Sequence, residues 1–215
     1  MLLEWPREKQ ELYLDALLLA GRVFWGPDLE FVQEIREDRT GEDLARLAGL
    51  LEGAAGEAAL GLGRSLGEFD SAQEAFVEWE AEYVSLFVNA PGGVAVPLYQ
   101  SVHDSEEGLV MGPAAQRMAA RLETAGLSAN LPQGQPADHL AVELEYLFLV
   151  LEEAVSEEDR VALDEAAAFA REELVPWLER VTARLAQAAP DGLYTRAAAL
   201  ALGLARVAAR QIART

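Results

Sequence analysis

The stretch SAQEAFVEWEAEYVSLF, residues 71–87, decides the fold class of this chain. Ser71 and Glu74 form a capping box, which is the pattern that opens a helix. Aromatic residues then recur at spacings of three and four, so they share one face of that helix: Phe76, Trp79, Tyr83 and Phe87. Packing into a core is the ordinary role of such a stripe, and contact with a bound partner is the alternative.

Helical periodicity continues along the rest of the sequence, whereas alternating β-branched runs bounded by turns do not occur. The pattern predicts an all-α fold of about eight to ten helices. Asp138 is predicted to cap a helix over residues 139–154, and Ser156 to cap a helix over 156–173. The alanine- and glycine-rich stretch 53–67 is predicted to be a frayed helix end or a loop.

Two long connections interrupt the helices, at residues 89–112 and 127–136. Connections of that length are uncommon in a compact domain and are usually functional or disordered. The first contains many apolar residues, so we expect it to be ordered and packed against the helices. The expected architecture is therefore a single globular helical domain over residues 1–215 with two long ordered loops.

Composition restricts the function. The 215 residues carry 37 acidic and 17 basic side chains, a formal net charge of −20, which repels nucleic acids and anionic membranes and favours a cationic partner. Solubility alone is the alternative explanation of this charge. Cysteine is absent, which excludes disulfides, thiol nucleophiles and thiolate-bound metals. With no readable export signal and no apolar run of the roughly 20 residues needed to cross a bilayer, a cytoplasmic location without membrane insertion is expected.

Catalytic signatures are also absent from the sequence: the dinucleotide-binding, P-loop and nucleophile-elbow motifs do not occur. His139 and Glu143 lie four residues apart and share one side of their predicted helix, a spacing that suits two metal ligands. Two ligands are too few for a di-metal carboxylate site. We therefore expect no cofactor and no enzymatic activity. A metal-carboxylate helical protein that uses these two residues and Glu145 is the alternative.

Five short motifs resemble one protein family in their order and spacing. They are EYVSLF (82–87), VPLYQSV (96–102), LVMG (109–112), Gly126-Leu127 and PADHLAVELE (136–145). Together they resemble the TorD/DmsD/NarJ family of redox-enzyme (molybdoenzyme) maturation chaperones, most strongly over residues 78–151. The combination of a Pro-x-Tyr-x-Ser loop with Pro-x-Asp-His and Glu-Leu-Glu is more specific than any motif alone.

The resemblance implies an all-helical, TorD-like cytoplasmic chaperone that binds a molybdoenzyme catalytic subunit, often through its twin-arginine signal peptide, until the cofactor is loaded. Family members exchange helices, so it also implies a monomer with a possible domain-swapped dimer and a hinge near residues 127–136. Such a signal peptide joins a basic region to an apolar one, and acids beside an apolar groove complement it. A nitrate-reductase-type chaperone for a subunit that stays in the cytoplasm is the alternative.

The predicted groove lies where the aromatic helix, the loop at residues 97–102 and the start of the helix at His139 converge. Its residues are predicted to be Trp79, Tyr83, Phe87, Pro97, Tyr99, Ser101, Pro136, Asp138, His139 and Glu143. The tyrosines and Phe87 would form apolar walls, and the two acids would bind arginines through charge-assisted hydrogen bonds. Helix capping by Asp138 and a turn hydroxyl at Ser101 are the structural alternatives.

Overall fold

Residues 2–51, 53–89, 93–105, 108–127 and 134–211 are described by the computed structural model of the chain. Most of them are helical. The helices are α1 Arg7–Val23, α2 Leu29–Glu37, α3 Thr40–Leu50, α4 Ala54–Leu66, α5 Ala72–Tyr83, α6 Gln100–Asp104, α7 Pro113–Thr124, α8 Leu140–Ser156, α9 Arg160–Phe169, α10 Val175–Ala188 and α11 Leu193–Ala209. A 3₁₀ turn, Leu2–Glu4, precedes α1, and π-helical turns extend α5 over Val84–Val88 and join α9 to α10 over Ala170–Leu174.

The all-α prediction is confirmed. The described ranges contain eleven α-helices, and their only β-type pairing is a single backbone bridge. Since α9 and α10 form one continuous helix through the π turn, ten separate helices result, which agrees with the predicted number. Among these same residues, no helix is long and apolar enough to span a bilayer.

Helices α8 and α11 form the centre of the fold. α8 packs along α1 and α9, while α11 packs against α4, α10 and α1. Ten of the 17 residues of α8 and eleven of the 17 residues of α11 are buried, as expected of helices that are apolar nearly all round. One set of buried apolar side chains extends from Leu2 to Ala208. The elements that carry the candidate site are thus fixed to a common core.

The prediction that residues 53–67 form a loop or a frayed end is wrong, because α4 occupies this stretch. Its small residues allow neighbouring backbones to approach closely: a Cβ on Gly56 would lie 2.9 Å from the carbonyl oxygen of Ala48 in α3. Likewise, a Cβ on Gly203 of α11 would lie 2.6 Å from the Cβ of Ala55. Packing of α4 between α3 and α11 therefore outweighs the low helix propensity of glycine.

The cap predicted at Ser156 is also wrong. α8 continues through Ser156, whose hydroxyl donates to the carbonyl oxygen of Glu153 at 3.2 Å. The cap of α9 is Asp159, whose carboxylate accepts from the backbone N–H groups of Val161 at 2.7 Å and Ala162 at 3.3 Å. Serine and aspartate are equally good caps, so the local sequence does not choose between them.

The described residues of the first predicted loop pack only in part. In the connection at 89–112, Val96 and Leu98 are buried and the residues after them form α6, as expected of an ordered segment. The same prediction is wrong for three consecutive apolar residues that are 53–62% exposed: Leu109, Val110 and Met111. The hinge predicted near 127–136 falls mainly on residues 128–133, which lie outside the described residues.

We expect Gly203→Ala to destabilise the fold by about 1–3 kcal/mol, because the added methyl group overlaps Ala55 at the contact between α4 and α11. Urea denaturation measures this change as a free energy of unfolding. Gly49→Ala in α3 is the matched control, since a Cβ there meets nothing within 4 Å. Helix propensity alone predicts that the control gains up to about 1 kcal/mol in its free energy of unfolding. Equal effects of the two substitutions would contradict the close helix contact.

Candidate functional site

A short antiparallel pairing joins the chain before α6 to the start of α8. Tyr99 and His139 form its backbone bridge, and two backbone hydrogen bonds of 2.9 and 3.0 Å flank that bridge. We call residues 97–101 together with 136–140 the junction. The Pro-x-Tyr-x-Ser and Pro-x-Asp-His motifs therefore lie side by side, and two of the three elements predicted to form the groove are in direct contact.

Asp138 is fully buried at the junction. Its Oδ2 accepts hydrogen bonds from the backbone N–H of Ser101 at 2.7 Å and from the Ser101 hydroxyl. Its Oδ1 has no hydrogen-bond partner among the described residues. The prediction that Asp138 caps α8 is wrong, since the cap is the next residue, His139. A buried carboxylate is tolerated when donors satisfy it, so Asp138 and Ser101 hold the two halves of the junction together.

His139 is 4% exposed and caps α8 through Nδ1, which accepts from the backbone N–H of Ala141 at 3.3 Å. Its ring stacks on Trp25, with centroids 5.0 Å apart and planes 15° apart, and meets the ring of Tyr99 edge-on at 5.2 Å. Burial lowers the pKa of His139 to about 4. The ring is therefore neutral near pH 7, which leaves Nδ1 free to accept the capping hydrogen bond.

Glu143, one turn further along α8, is fully buried as well. Its Oε2 accepts from Nε1 of Trp177 at 2.8 Å, while Oε1 has no partner in the part of the chain that the structure describes. Burial raises the pKa of this carboxyl well above its ordinary value, although the Trp177 hydrogen bond acts in the opposite direction. Glu143 thus links α8 to α10 inside the fold and does not face solvent.

The aromatic stripe of α5 and its π-helical extension packs into the core. Trp79 is 3% exposed and meets the ring of Phe69. Tyr83 and Phe87 pack around Tyr194 of α11, with ring centroids 5.6 and 5.1 Å from it. The Tyr83 hydroxyl also donates to a backbone carbonyl just after α1 at 3.4 Å. Trp79 is thus a core residue, whereas Tyr83 and Phe87 pack against the core and stay half-buried.

Burial divides the ten predicted site residues into two groups. Five are enclosed: Trp79, Ser101, Asp138, His139 and Glu143. Five are half-buried and retain accessible surface: Tyr83, Phe87, Pro97, Tyr99 and Pro136. Two neighbouring residues contact both regions: Phe24 meets Phe87 of the stripe edge-on at 6.2 Å, and Trp25 stacks on His139 of the junction. In this conformation, the two acids predicted to bind arginines are therefore closed to a peptide.

The residues of the metal-carboxylate alternative engage three different partners. His139 accepts from its own helix, Glu143 accepts from Trp177, and Glu145 accepts from Nε1 of Trp25 at 2.7 Å. Among the described residues, no group of three or more histidine, aspartate or glutamate side chains is arranged to hold a metal ion. The geometry therefore gives this alternative no support.

An open groove of about 690 Å³ lies between α1, α2 and α3, and Glu145 of α8 completes one wall. We call it the α1–α3 groove. Its floor consists of buried apolar side chains: Leu12, Ala16, Phe31, Ile35 and Leu44. Leu18, which is 44% exposed, extends this apolar surface along α1. None of the lining residues was among the predicted peptide-binding residues, and Glu145 was considered only as a metal ligand.

Acidic side chains from all four helices surround the apolar floor: Asp15, Glu34, Asp38, Asp43 and Glu145. The groove also contains two arginines, and each of them pairs with an acid outside it. Burial, together with the nearby charges of Asp43 and Glu11, raises the pKa of Asp15. A cation bound beside Asp15 would offset the repulsion from these two neighbouring charges.

A weak signal for this groove is present in α1. Asp15, Leu18, Leu19 and Arg22 recur at spacings of three and four, which places a leucine pair between charged residues on one helix face. An exposed apolar patch rimmed by polar residues indicates a contact surface. The other lining residues come from three further helices, so this signal becomes specific only once the helices have packed together.

Comparison with known proteins gives the family. Residues 45–183 match the family described as nitrate reductase delta subunit. The chaperone protein TorD of Vibrio cholerae serotype O1 is 30% identical over 194 residues, which is 84% of this chain and 86% of that protein. This chain belongs to the TorD/NarJ family of redox-enzyme maturation chaperones. The chaperone protein TorD of Vibrio vulnificus is 35% identical over 129 residues, and that match spans 58% of this chain and 60% of the relative's length.

A solved structure shares the fold of this TorD/NarJ family member. It comes from Archaeoglobus fulgidus and is described as a candidate redox enzyme maturation protein, with a TM-score of 0.51, 23% identity and 93% coverage of both chains. At this identity the likeness establishes the fold alone. The family match over 45–183 includes the junction but not α1 or α2, so most of the α1–α3 groove lies outside it.

The substitution His139→Asn keeps a capping side chain at the start of α8 and removes the titrating ring. The pKa of His139 is about 4 in the folded protein, against about 6.5 in an unfolded chain. Below pH 6.5 the unfolded chain takes up a proton that the folded protein binds only near pH 4. The wild type should therefore lose up to about 3 kcal/mol of stability over this window, relative to His139→Asn.

Urea denaturation of both proteins at pH values from about 7 to about 4 measures this difference. The raised pKa of Glu143 has the opposite effect, since it favours the folded state as the pH falls. Glu143 is common to both proteins, so its contribution cancels in the comparison. A difference in stability that does not change with pH would mean that His139 titrates as an exposed histidine.

Proposed function

We propose that this chain is a cytoplasmic, non-catalytic chaperone that binds a molybdoenzyme subunit through its twin-arginine signal peptide and holds it until cofactor insertion. Family membership and the relatives named chaperone protein TorD support this proposal. The observation that carries it is the α1–α3 groove, which combines an apolar floor with an acidic rim.

The chemistry of the groove complements that of a twin-arginine signal peptide. Such a peptide joins paired arginines to an apolar run, and it therefore needs both carboxylates and apolar surface from its receptor. Five acids line the groove, one of which, Asp43, pairs with Arg46, and the two arginines of the groove pair with acids outside it. The formal net charge of −20 adds long-range attraction, which accelerates the encounter with a cationic segment.

The α1–α3 groove replaces the junction as the proposed contact for the arginines. Asp138 and Glu143 are fully buried, and exposing them would break hydrogen bonds to Ser101 and Trp177. The half-buried members of the predicted site form a second contact surface in our proposal: Tyr83, Phe87, Pro97, Tyr99 and Pro136. Trp25 lies between the two regions, because it stacks on His139 and donates to a groove residue.

The family description favours a second candidate function. A nitrate-reductase-type chaperone would bind a subunit that stays in the cytoplasm, and the matched family is described as nitrate reductase delta subunit. The same groove would then bind an amino-terminal segment without paired arginines. Comparing peptides with and without the arginine pair separates the two functions. We also propose that the protein is a monomer with a minor domain-swapped dimer, which size-exclusion chromatography at several concentrations tests.

We expect a peptide with paired arginines followed by an apolar run to bind the wild type, and Asp15→Asn/Glu34→Gln to weaken that binding roughly tenfold, because both carboxylates are exposed at the groove. Titration calorimetry measures the affinity. Raising the salt concentration should slow association with the wild type, since exposed charges are screened over about 8 Å at physiological ionic strength.

The matched control for this prediction is Glu152→Gln/Glu153→Gln, which removes the same charge from exposed positions of α8. We expect it to leave the affinity within about twofold of the wild type, because these side chains lie outside the groove. If both double substitutions weakened binding equally, the affinity would depend on the net charge of the protein and not on the groove. If Tyr99→Ala abolished binding and the double substitution in the groove left it unchanged, the arginine site would have to lie at the junction.

A further inference from the structure

Glu145 differs from the other acids of the α1–α3 groove because a neutral side chain orients it, whereas Asp43 is paired with the guanidinium group of Arg46 at 2.7 Å. Its Oε1 accepts a hydrogen bond from Nε1 of Trp25 at 2.7 Å, and both residues are half-buried. Asp15, Glu34 and Asp38 are exposed at the same groove. A carboxylate held by a neutral donor keeps its negative charge and loses its freedom to rotate, so its plane has a defined direction.

Trp25 is itself fixed on its other face. Its indole stacks on the buried ring of His139 at 5.0 Å, and His139 is held by the backbone bridge to Tyr99 and by its capping hydrogen bond. The orientation of the Glu145 carboxylate is therefore set by the junction, through two aromatic rings. This contact connects the motif that carries the family resemblance to the groove beside it.

The carboxylate of Glu145 can also accept further hydrogen bonds. In the part of the chain that the structure describes, it forms no ion pair, and the indole of Trp25 is its only hydrogen-bond partner. Arg22, which lines the same groove, pairs with Asp28 and lies over the ring of Phe31. A negative charge at a groove wall without a basic partner of its own is suited to a cation supplied by the bound peptide.

We propose that Glu145 selects arginine over lysine in the bound segment, with Trp25 as its positioning residue. This inference rests on the proposed function. A guanidinium group is planar and presents two parallel N–H donors, so it gains from a carboxylate whose plane is fixed. An ammonium group is a compact point charge, which binds a rotating carboxylate equally well. The exposed rim acids therefore attract either cation, and Glu145 distinguishes between them.

Two peptides that differ only in the paired residues, Arg-Arg or Lys-Lys, test the proposal by titration calorimetry. We expect the wild type to bind the arginine peptide about tenfold more tightly, the gain of one charge-assisted hydrogen bond. Glu145→Gln should reduce this ratio to near one, since the amide still accepts from Trp25 but carries no charge. Glu152→Gln is the control, because it removes one acid from the same helix away from the groove.

Trp25→Phe separates positioning from folding. Phenylalanine retains a ring to pack on His139 but has no N–H to donate to Glu145, so the arginine-to-lysine ratio should fall while lysine-peptide affinity stays near that of the wild type. A merely structural role would weaken both peptides equally, which would overturn the positioning role. The melting temperature of each variant, measured in parallel, confirms that it is folded.

The results also distinguish this inference from the proposed function. A wild type that binds both peptides equally, or a Glu145→Gln variant that keeps the arginine preference, would overturn the role of Glu145 and leave signal-peptide binding in place. A wild type that binds neither peptide would overturn the proposed function itself, and the inference with it. An arginine-to-lysine affinity ratio that falls in Glu145→Gln but not in Glu152→Gln supports both the proposed function and the role of Glu145.

Discussion

The buried carboxylate of Asp138 holds together two parts of the chain that are 37 residues apart. It accepts both the backbone N–H and the hydroxyl of Ser101, and the bridge between Tyr99 and His139 lies beside it. Burying an ionisable group is unfavourable unless donors satisfy it, so this contact tolerates few alternative arrangements. This contact joins α6 to the segment that leads into α8, and the next residue, His139, caps α8 and stacks on Trp25.

The acids discussed above form two groups, which differ in their exposure to water and in their role. Asp138 and Glu143 are fully buried and join segments of the fold through hydrogen bonds to Ser101 and Trp177. The acids at the α1–α3 groove keep access to solvent and surround an apolar floor. Only the second kind can meet an incoming cation without breaking hydrogen bonds inside the fold.

The junction and the α1–α3 groove also differ in whether the family match covers them. The junction lies inside the match over residues 45–183, whereas α1 and α2, which supply most of the groove, lie before it. The hydrogen bond from Trp25 to Glu145 connects a residue before the matched range with a residue inside it.

The sequence by itself determined the helical class and the family, because spacings of three and four and the junction motifs are local patterns. It did not determine which acids are accessible: Asp138 and Glu143 look like binding residues in the sequence, yet they are fully buried. It also missed α4, where contacts of Gly56 and Gly203 with neighbouring helices outweigh propensity. The α1–α3 groove combines residues of four helices. Burial and grooves depend on contacts between distant segments, and only the tertiary structure decides those.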